Sequence, residues 1–472
     1  MENRAADGRK TRMANDFSKG EVWRIVLAQA LPLTLASFVQ LLYNVVDRIY
    51  IGHLSGSGGM ALTGVGVTFP IVTLVLAFTM LFATGGAPLF SMARGGGDTE
   101  RASRLQSSTL TLLLICAAVI TAVGLLFGRP ILYLFGATPE SYPYASAYFQ
   151  IYIVGTLPVM FSTGMNYFIN AQGFPRTGML STVLGAGINL ALDPILIFAF
   201  HMGVRGAAIA TVISQAASAL WVFHFLTGPR CLIPIRRSQM RPEPHMAGQI
   251  VQLGAAGFVQ QGTNSLVQIV CNLTLRSYGG AVYVGVMTIL NSVREILHLP
   301  IMGLTTGSQP VMSFNYGARK YDRVKSAIRF NMIVGVTFLF GAWIVVLLFP
   351  RLFVSLFTSD PELIHLGIPA MHRYFFGFFL MALQFAGQSV FTALGYAKRA
   401  IFFSLFRKVI IVVPLTILLP AIGMGVNGVF TAEPISNAIG GIACALTMYL
   451  TVYRKLGTEA ESETEVDASQ KG

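Results

Sequence analysis

The sequence contains few charged residues. Of its 472 residues, 11% are Asp, Glu, Lys or Arg, whereas a soluble domain carries about 25%. With a mean hydropathy of +0.64, this scarcity excludes an ordinary soluble globular protein and indicates a membrane protein made of helices. The net charge of +13 does not indicate a nucleic-acid partner, because the cations lie in short loops between apolar segments.

Cysteine and the common catalytic motifs are also scarce. The four cysteines lie far apart with no CxxC or His-rich spacing, at Cys116, Cys231, Cys271 and Cys444. This spacing indicates neither a disulfide framework nor a zinc site. The chain contains no GxxxxGK[ST] loop and no HExxH or GxSxG motif. We therefore predict that the protein is not an enzyme, has no cofactor and encodes no ATP-driven motor.

Twelve apolar segments are long enough to cross a bilayer as helices, which takes about 20 residues at about 1.5 Å per residue. We number them span 1 to span 12, and they cover residues 25–50, 61–87, 105–127, 143–168, 178–200, 204–227, 250–276, 281–305, 327–349, 369–392, 400–422 and 426–453. The predicted fold class is therefore an all-α polytopic membrane protein with 12 transmembrane helices.

Lysine and arginine alternate between successive loops and so predict the orientation of the chain. The cations concentrate in the N-terminal tail, in the even-numbered connections and near the C terminus. We count Arg407 and Lys408, just after the tenth connection, on the same side. Because cytoplasmic loops carry the excess of Lys and Arg, both termini are predicted to be cytoplasmic.

The two halves of the chain are related by an internal repeat at a fixed offset of 222 residues. Matching positions include Thr84-Gly85 with Thr306-Gly307, Arg129 with Arg351, and Met202-Gly203-Val204 with Met424-Gly425-Val426. Each repeat holds six spans, an even number, so we predict two parallel, pseudo-symmetric six-helix lobes. The predicted domains are a cytoplasmic tail, an N-lobe, a cytoplasmic linker, a C-lobe and a disordered acidic tail, at residues 1–24, 25–227, 228–248, 249–455 and 456–472.

Two aspartates inside the predicted spans are the strongest candidates for function. Asp47 and Asp193 lie about 9 and 12 Å inside the outer ends of spans 1 and 5. Asn189 shares a face with Asp193, and Thr211 lies at a similar depth in span 6. Two carboxylates in a low dielectric need a proton or a cation such as Na⁺, for which these four side chains offer oxygen ligands. Alternatively, both aspartates only serve helix ends near the headgroups.

The acidic set belongs to the first half of the chain alone. At the repeat offset, Asp47, Asn189 and Asp193 correspond to Ile269, Ile411 and Leu415. Pro32 lies fifteen residues before Asp47 and lacks a backbone donor, so we expect a kink in span 1. This kink either moves with protonation or is a static bend.

Four polar residues of the second half form a possible substrate cavity. Arg294, Glu295 and His298 lie near the middle of span 8. They either line a central cavity that binds a cationic substrate or pair with each other and with Arg373. Glu433, in span 12, has either a cavity role or a helix-packing role.

Several short motifs occur together in this chain. They are Asn44-Val45-Val46-Asp47 with Pro32 upstream, Asn189-x-x-x-Asp193-Pro194, Thr211 and Gly317-Ala318-Arg319-Lys320-Tyr321. Their combination resembles the multidrug and toxic compound extrusion (MATE) family, and within it the bacterial DinF/MepA-like branch. The resemblance covers about residues 20–455.

This resemblance implies a plasma-membrane antiporter that exports organic cations, drugs or other amphiphiles while H⁺ or Na⁺ enters. It implies an ion-coupling site at Asp47, Asn189, Asp193 and Thr211, which would also be the metal ligands if the ion is Na⁺, with Pro32 as the hinge of span 1. We expect a monomer in the lipid bilayer, without an ATPase subunit. The rival hypotheses are a lipid-linked saccharide flippase of the wider superfamily and an intramembrane enzyme.

Overall fold

A computed structural model describes residues 16–52, 58–241 and 243–456 of the chain. Most of these described residues are helical, and none of them forms a β-strand. Two predictions fall largely outside this range. Residues 1–15 of the predicted cytoplasmic tail and residues 457–472 of the predicted acidic tail lie outside the described residues.

Fifteen α-helices follow one another along the described part of the chain. They are α1 Val22–Gly52, α2 Gly58–Gly95, α3 Thr99–Leu134, α4 Tyr142–Val154, α5 Thr156–Ala171, α6 Pro175–Pro194, α7 Val204–Thr227, α8 Pro244–Gly317, α9 Tyr321–Leu348, α10 Pro350–Ser355, α11 Pro361–Tyr374, α12 Met381–Ala393, α13 Ala397–Leu405, α14 Val413–Leu419 and α15 Val426–Met448. Four π-helical segments extend these helices, at Ile195–Ala199, Phe406–Val412, Pro420–Met424 and Tyr449–Tyr453.

The helices account for the predicted spans. In the described residues, nine helices are long and apolar enough to cross a membrane, or up to eleven if each of two bent pairs is one span. The bent pairs are α4 with α5, at 54°, and α11 with α12, at 50°. Helix α8 has 74 residues and contains both span 7 and span 8. Gly280, at φ 77°, breaks the helix between the two spans, so α8 accounts for two of the predicted spans. The predicted fold class is therefore confirmed.

The contacts between residues divide the chain into two compact units. The N-unit contains Leu31–Gly254, and the C-unit contains Ser18–Ala30 and the chain from Ala255 onwards. The boundaries between the two units thus fall inside two helices. One boundary lies in α1, between Ala30 and Leu31, and the other lies in α8, between Gly254 and Ala255. These units do not by themselves test the predicted lobe boundaries, which stay a prediction.

Each unit has its own apolar core, and each also carries apolar side chains on its outside. Phe90 and Phe168 are buried in the N-unit, with ring centroids 5.4 Å apart. Tyr374 and Phe430 are buried in the core of the C-unit. Large side chains such as Leu134, which is 81% exposed, cover the outer helix faces. A soluble protein rarely exposes so much apolar surface, whereas lipid tails solvate it.

Two glycines allow close packing of helices within the N-unit. Gly85 of α2 lies against Gly254 of α8. A Cβ atom added at Gly254 would overlap the carbonyl group of Leu81, and one added at Gly85 would overlap the carbonyl oxygen of Ile250. Small residues of this kind let helix backbones approach each other in membranes.

The predicted linker, residues 228–248, is part of the N-unit and packs against its helices. The Gln172 side-chain oxygen accepts hydrogen bonds from the backbone N–H groups of Leu232 and Ile233, at 3.0 and 3.1 Å. The Thr111 hydroxyl donates to the carbonyl oxygen of Met240, at 2.7 Å. Specific hydrogen bonds therefore order the segment that follows the first six spans.

Candidate functional site

Asp193 is buried near the end of α6. It is 1% exposed, and Asn189, one turn earlier on the same face, is 2% exposed. The Asn189 side-chain amide donates a hydrogen bond to Asp193 Oδ1, at 3.4 Å. Pro194 follows and has no N–H, and the chain continues as the π-helical segment Ile195–Ala199. Such π-helical segments interrupt the regular helix and are frequent at functional sites.

Asp47, on α1, meets Asp193 inside the N-unit. The two carboxyl groups lie close enough to share a hydrogen bond. Two ionised carboxylates cannot share such a bond, so the arrangement needs a proton on one of them or a cation between them. The structure thus brings together the two aspartates that the sequence analysis selected.

Thr211, on α7, adds a hydroxyl next to this pair. Its hydroxyl donates a hydrogen bond to the carbonyl oxygen of Ala207, at 3.0 Å, and lies close to the hydroxyl of Tyr148. Tyr148 in turn lies within electrostatic range of Asp47. Thr211 is therefore linked to the aspartates through a tyrosine that the sequence analysis did not select.

Tyrosines form the remaining part of the site. Tyr43 precedes Asp47 by one turn of α1 and lies within electrostatic range of both Asp47 and Asp193. Tyr148 and Tyr152, one turn apart on α4, are buried and stacked with ring centroids 6.0 Å apart. The i, i+4 spacing from Tyr43 to Asp47 is visible in the sequence, but only helix packing places α4 beside α1.

The oxygen atoms of these side chains determine which ions the site can bind. The side chains offer carboxylate, amide and hydroxyl oxygens, which suit a proton or a hard cation such as Na⁺ rather than a soft transition metal. In the described ranges, no three or more His, Cys, Asp or Glu residues are grouped as metal ligands.

Pro32 lies inside α1, which is helical from Val22 to Gly52. The boundary between the two contact units falls between Ala30 and Leu31, at this proline. The missing N–H of a proline weakens the helix there. Its role as a hinge stays a prediction.

Glu433 of α15 is the centre of a buried ionic cluster in the C-unit. Its Oε1 atom accepts hydrogen bonds from Arg407 Nη1 at 3.0 Å and Arg294 Nη1 at 3.2 Å, and lies 3.5 Å from Lys408 Nζ. The side chains of Arg407 and Lys408 are 6% and 8% exposed. Both belong to the π-helical segment Phe406–Val412 and pack inside the unit, so they are not loop cations of the kind from which the orientation is predicted.

The other predicted cavity residues behave differently. Glu295 and Arg373 are both exposed, and neither forms an ion pair in the part of the chain that the structure describes. His298 does not pair with Glu295. Its ring lies 4.3 Å from that of Phe385, and its Nε2 atom is buried without a hydrogen-bond partner in the described residues. The proposed Glu295–His298–Arg373 pairing is therefore not formed.

The family model described as MatE matches residues 32–195 and 258–418, which is more than half of the chain. The chain belongs to the MatE family. The resemblance to this family that the motifs indicate is thus confirmed, and MatE members are multidrug efflux transporters of the membrane, not enzymes.

Similar proteins cover nearly the whole chain. The multidrug export protein MepA of Staphylococcus haemolyticus (strain JCSC1435) is 26% identical over 93% of this chain and 94% of its own length. MepA of Staphylococcus aureus (strain MSSA476) is 25% identical over 92% of this chain and 95% of its own. A solved structure described as an outward-facing multidrug resistance MATE family transporter has a TM-score of 0.88 at 23% identity, covering 94% and 98% of the two chains. This MatE chain therefore has the fold of a MATE transporter.

Proposed function

We propose that this MatE-family protein is an antiporter that exports small amphiphilic solutes, organic cations and drugs among them, while H⁺ or Na⁺ enters. The observation that carries the proposal is the close approach of the half-buried Asp47 to the buried Asp193. The MepA proteins that resemble this chain are named multidrug export proteins, which supports the direction and the kind of cargo.

The pair supplies a physical reason for coupling. Without a bound cation the two carboxylates repel each other. When a proton or Na⁺ is bound, both carboxylates attract that ion. A bound ion therefore favours whichever arrangement of α1 and α6 holds the carboxyl groups together. A ligand shifts a conformational equilibrium only by its difference in affinity between the two states, and the like-charge pair creates such a difference. Pro32 is the point at which we expect α1 to bend.

The orientation and localisation belong to the same proposal. The distribution of Lys and Arg supports cytoplasmic termini in a plasma membrane, with the acid pair near the outer ends of spans 1 and 5. The ion would then enter the pair from outside, where its concentration is higher. The protein would work as a monomer.

Efflux of a fluorescent organic cation from vesicles, with pH and Na⁺ gradients imposed separately, tests this function. We expect one of the two gradients to drive efflux by the wild type, and the Asp47→Asn and Asp193→Asn variants to insert normally but lose gradient-driven efflux. Asp322→Asn is a matched control, since Asp322 is an exposed residue at the start of α9. Full gradient-driven efflux by the double variant would overturn the proposal.

A further inference from the structure

The buried ionic cluster of the C-unit has more positive than negative groups. Arg294, Arg407 and Lys408 all meet the same oxygen of Glu433, which leaves an excess of two positive charges when all four groups are ionised. A cation buried without a counter-charge is costly, and in membranes such groups usually mark a ligand pathway. Glu433 is already surrounded by three cations, so its carboxylate is not available to bind a further one.

Other groups around the cluster do not supply the missing negative charge. Tyr374 of α11 donates its hydroxyl to the Asn291 side chain, at 3.1 Å. Glu295, the next acid on α8, is exposed and forms no ion pair in the described residues. Cys271 and Thr416 are uncharged neighbours, with their side-chain S and O atoms 3.8 Å apart.

Asn437 provides a second, independent observation. It lies one turn after Glu433 on α15 and is 0% exposed. Its side-chain oxygen accepts a hydrogen bond from Arg407 Nη1, at 2.8 Å. Its Nδ2 group is buried and has no partner in the described residues. An unpartnered buried donor is costly, and here it adjoins an excess of positive charge.

The internal repeat shows that the helix bundle itself does not require these cations. At the offset of 222 residues, Arg294, Arg407 and Lys408 correspond to Val72, Gly185 and Ala186 of the N-unit. The same helices therefore pack with small or apolar residues in the other half. Gly440 also makes room for the cluster, because a Cβ atom there would lie 2.9 Å from Cγ of Arg407.

We propose that Arg294, Arg407, Lys408 and the free amide of Asn437 bind the carboxylate or phosphate group of an amphiphile. Guanidinium groups match the planar oxygens of these anions, and a lysine adds a point charge. Arg294, whose side chain is 29% exposed, is the accessible member of the set. The anion comes either from an exported solute or from a lipid headgroup. The first source rests on the proposed export function, whereas binding itself does not.

A pair of dyes that differ in one charge tests the site. A rhodamine with a free benzoic acid and its methyl ester have the same ring system, but only the acid carries a carboxylate. We would measure equilibrium binding of each dye by fluorescence anisotropy, with purified protein in phosphatidylcholine nanodiscs. Arg294→Gln and Lys408→Gln should weaken binding of the acid by at least about tenfold. Binding of the ester should change by less than about twofold, and this also confirms that the variants are folded.

Three further arms make the result decisive. Arg294→Lys keeps the charge and should restore most of the affinity for the acid, and Arg373→Gln removes an exposed arginine and should have no effect. Nanodiscs with added phosphatidylglycerol identify the source of the anion. If phosphatidylglycerol competes with the acid dye for the wild type but not for the variants, the anion is a lipid headgroup. If phosphatidylglycerol does not compete with the acid dye, the anion belongs to a solute. Equal effects of the substitutions on acid and ester, or no effect on either, overturn the proposal.

The binding test is independent of the export hypothesis. No gradient is imposed, so Asp47→Asn and Asp193→Asn are expected to retain the preference of the C-unit for the acid dye. If these variants transport normally but the cationic cluster still selects the acid, then the ion-coupling proposal fails alone. If gradient-driven efflux behaves as expected but acid and ester bind equally, then only the anion site fails.

Discussion

The Asp47–Asp193 pair allows a quantitative prediction for Asp193→Asn. Two ionised carboxylates at a separation of about 3 Å repel each other by about 5.5 kcal/mol at an effective dielectric constant of about 20. A shift of about 5.5 kcal/mol moves a two-state equilibrium from about 1:99 to about 99:1. On the proposed function, we therefore expect neutralisation of the pair by a proton or Na⁺ to be enough to reverse the preferred arrangement of the helices. Asparagine retains an oxygen that can accept the hydrogen bond from Asn189, so it removes the charge with little change of shape.

Equilibrium dye binding at varied pH and Na⁺ concentration measures this effect. In the wild type we expect the coupling ion to change the dissociation constant for a cationic dye by about 5- to 150-fold, the usual range of coupling between two sites. Asp193→Asn should abolish this dependence on the coupling ion. It leaves a single carboxyl group, so no repulsion between like charges remains for the ion to relieve. Asp322→Asn should leave it unchanged.

A double-mutant cycle provides the refutation. If the two carboxyl groups act as one unit, Asp47→Asn, Asp193→Asn and the double variant should all lose about the same coupling free energy. Independent sites would instead give effects that add. Strict additivity, or an ion dependence that survives in either single variant, would show that the pair is not the coupling element.

Three further predictions concern packing, charge and reactivity. Gly254→Val should lower the thermal unfolding midpoint of the protein in detergent, because its side chain would overlap a neighbouring helix backbone. Glu433→Gln should lower the free energy of unfolding by about 3–5 kcal/mol, measured by denaturant titration, because it leaves buried cations unpaired. Burial raises the pKa of the Cys231 thiol to about 11, so its alkylation by iodoacetamide should be slow at neutral pH and accelerate about tenfold per pH unit up to about pH 11.

A control or a contradicting result accompanies each of these three predictions. Gly262→Ala tests the packing argument, since a Cβ atom there meets nothing within 4 Å, and it should leave the unfolding midpoint unchanged. Glu295→Gln removes an exposed acid, and equal destabilisation by Glu295→Gln and Glu433→Gln would contradict the charge argument. A rate of alkylation for Cys231 equal to that of free cysteine at neutral pH would show that the thiol is not buried.

Local patterns in the sequence were sufficient for the helices and for part of the site. Long apolar segments form helices in a bilayer because all backbone groups must be paired within the segment. Residues four apart lie on the same face of a helix, so the spacing of Asn189 and Asp193 predicts the contact that the structure shows, at 3.4 Å. The repeat also indicated that the acid pair has no counterpart in the second half.

Only the tertiary structure decided which helices meet. The contact between Tyr148 and Thr211 joins α4 to α7, and Arg294 reaches Glu433 across 139 positions of the chain. Such contacts depend on how helix faces pack, and no local periodicity encodes them. Arg407 and Lys408 resemble loop cations in the sequence because they follow Lys398 and Arg399 closely. Packing turns them inward to Glu433, since a buried carboxylate stabilises cations that would otherwise remain in water.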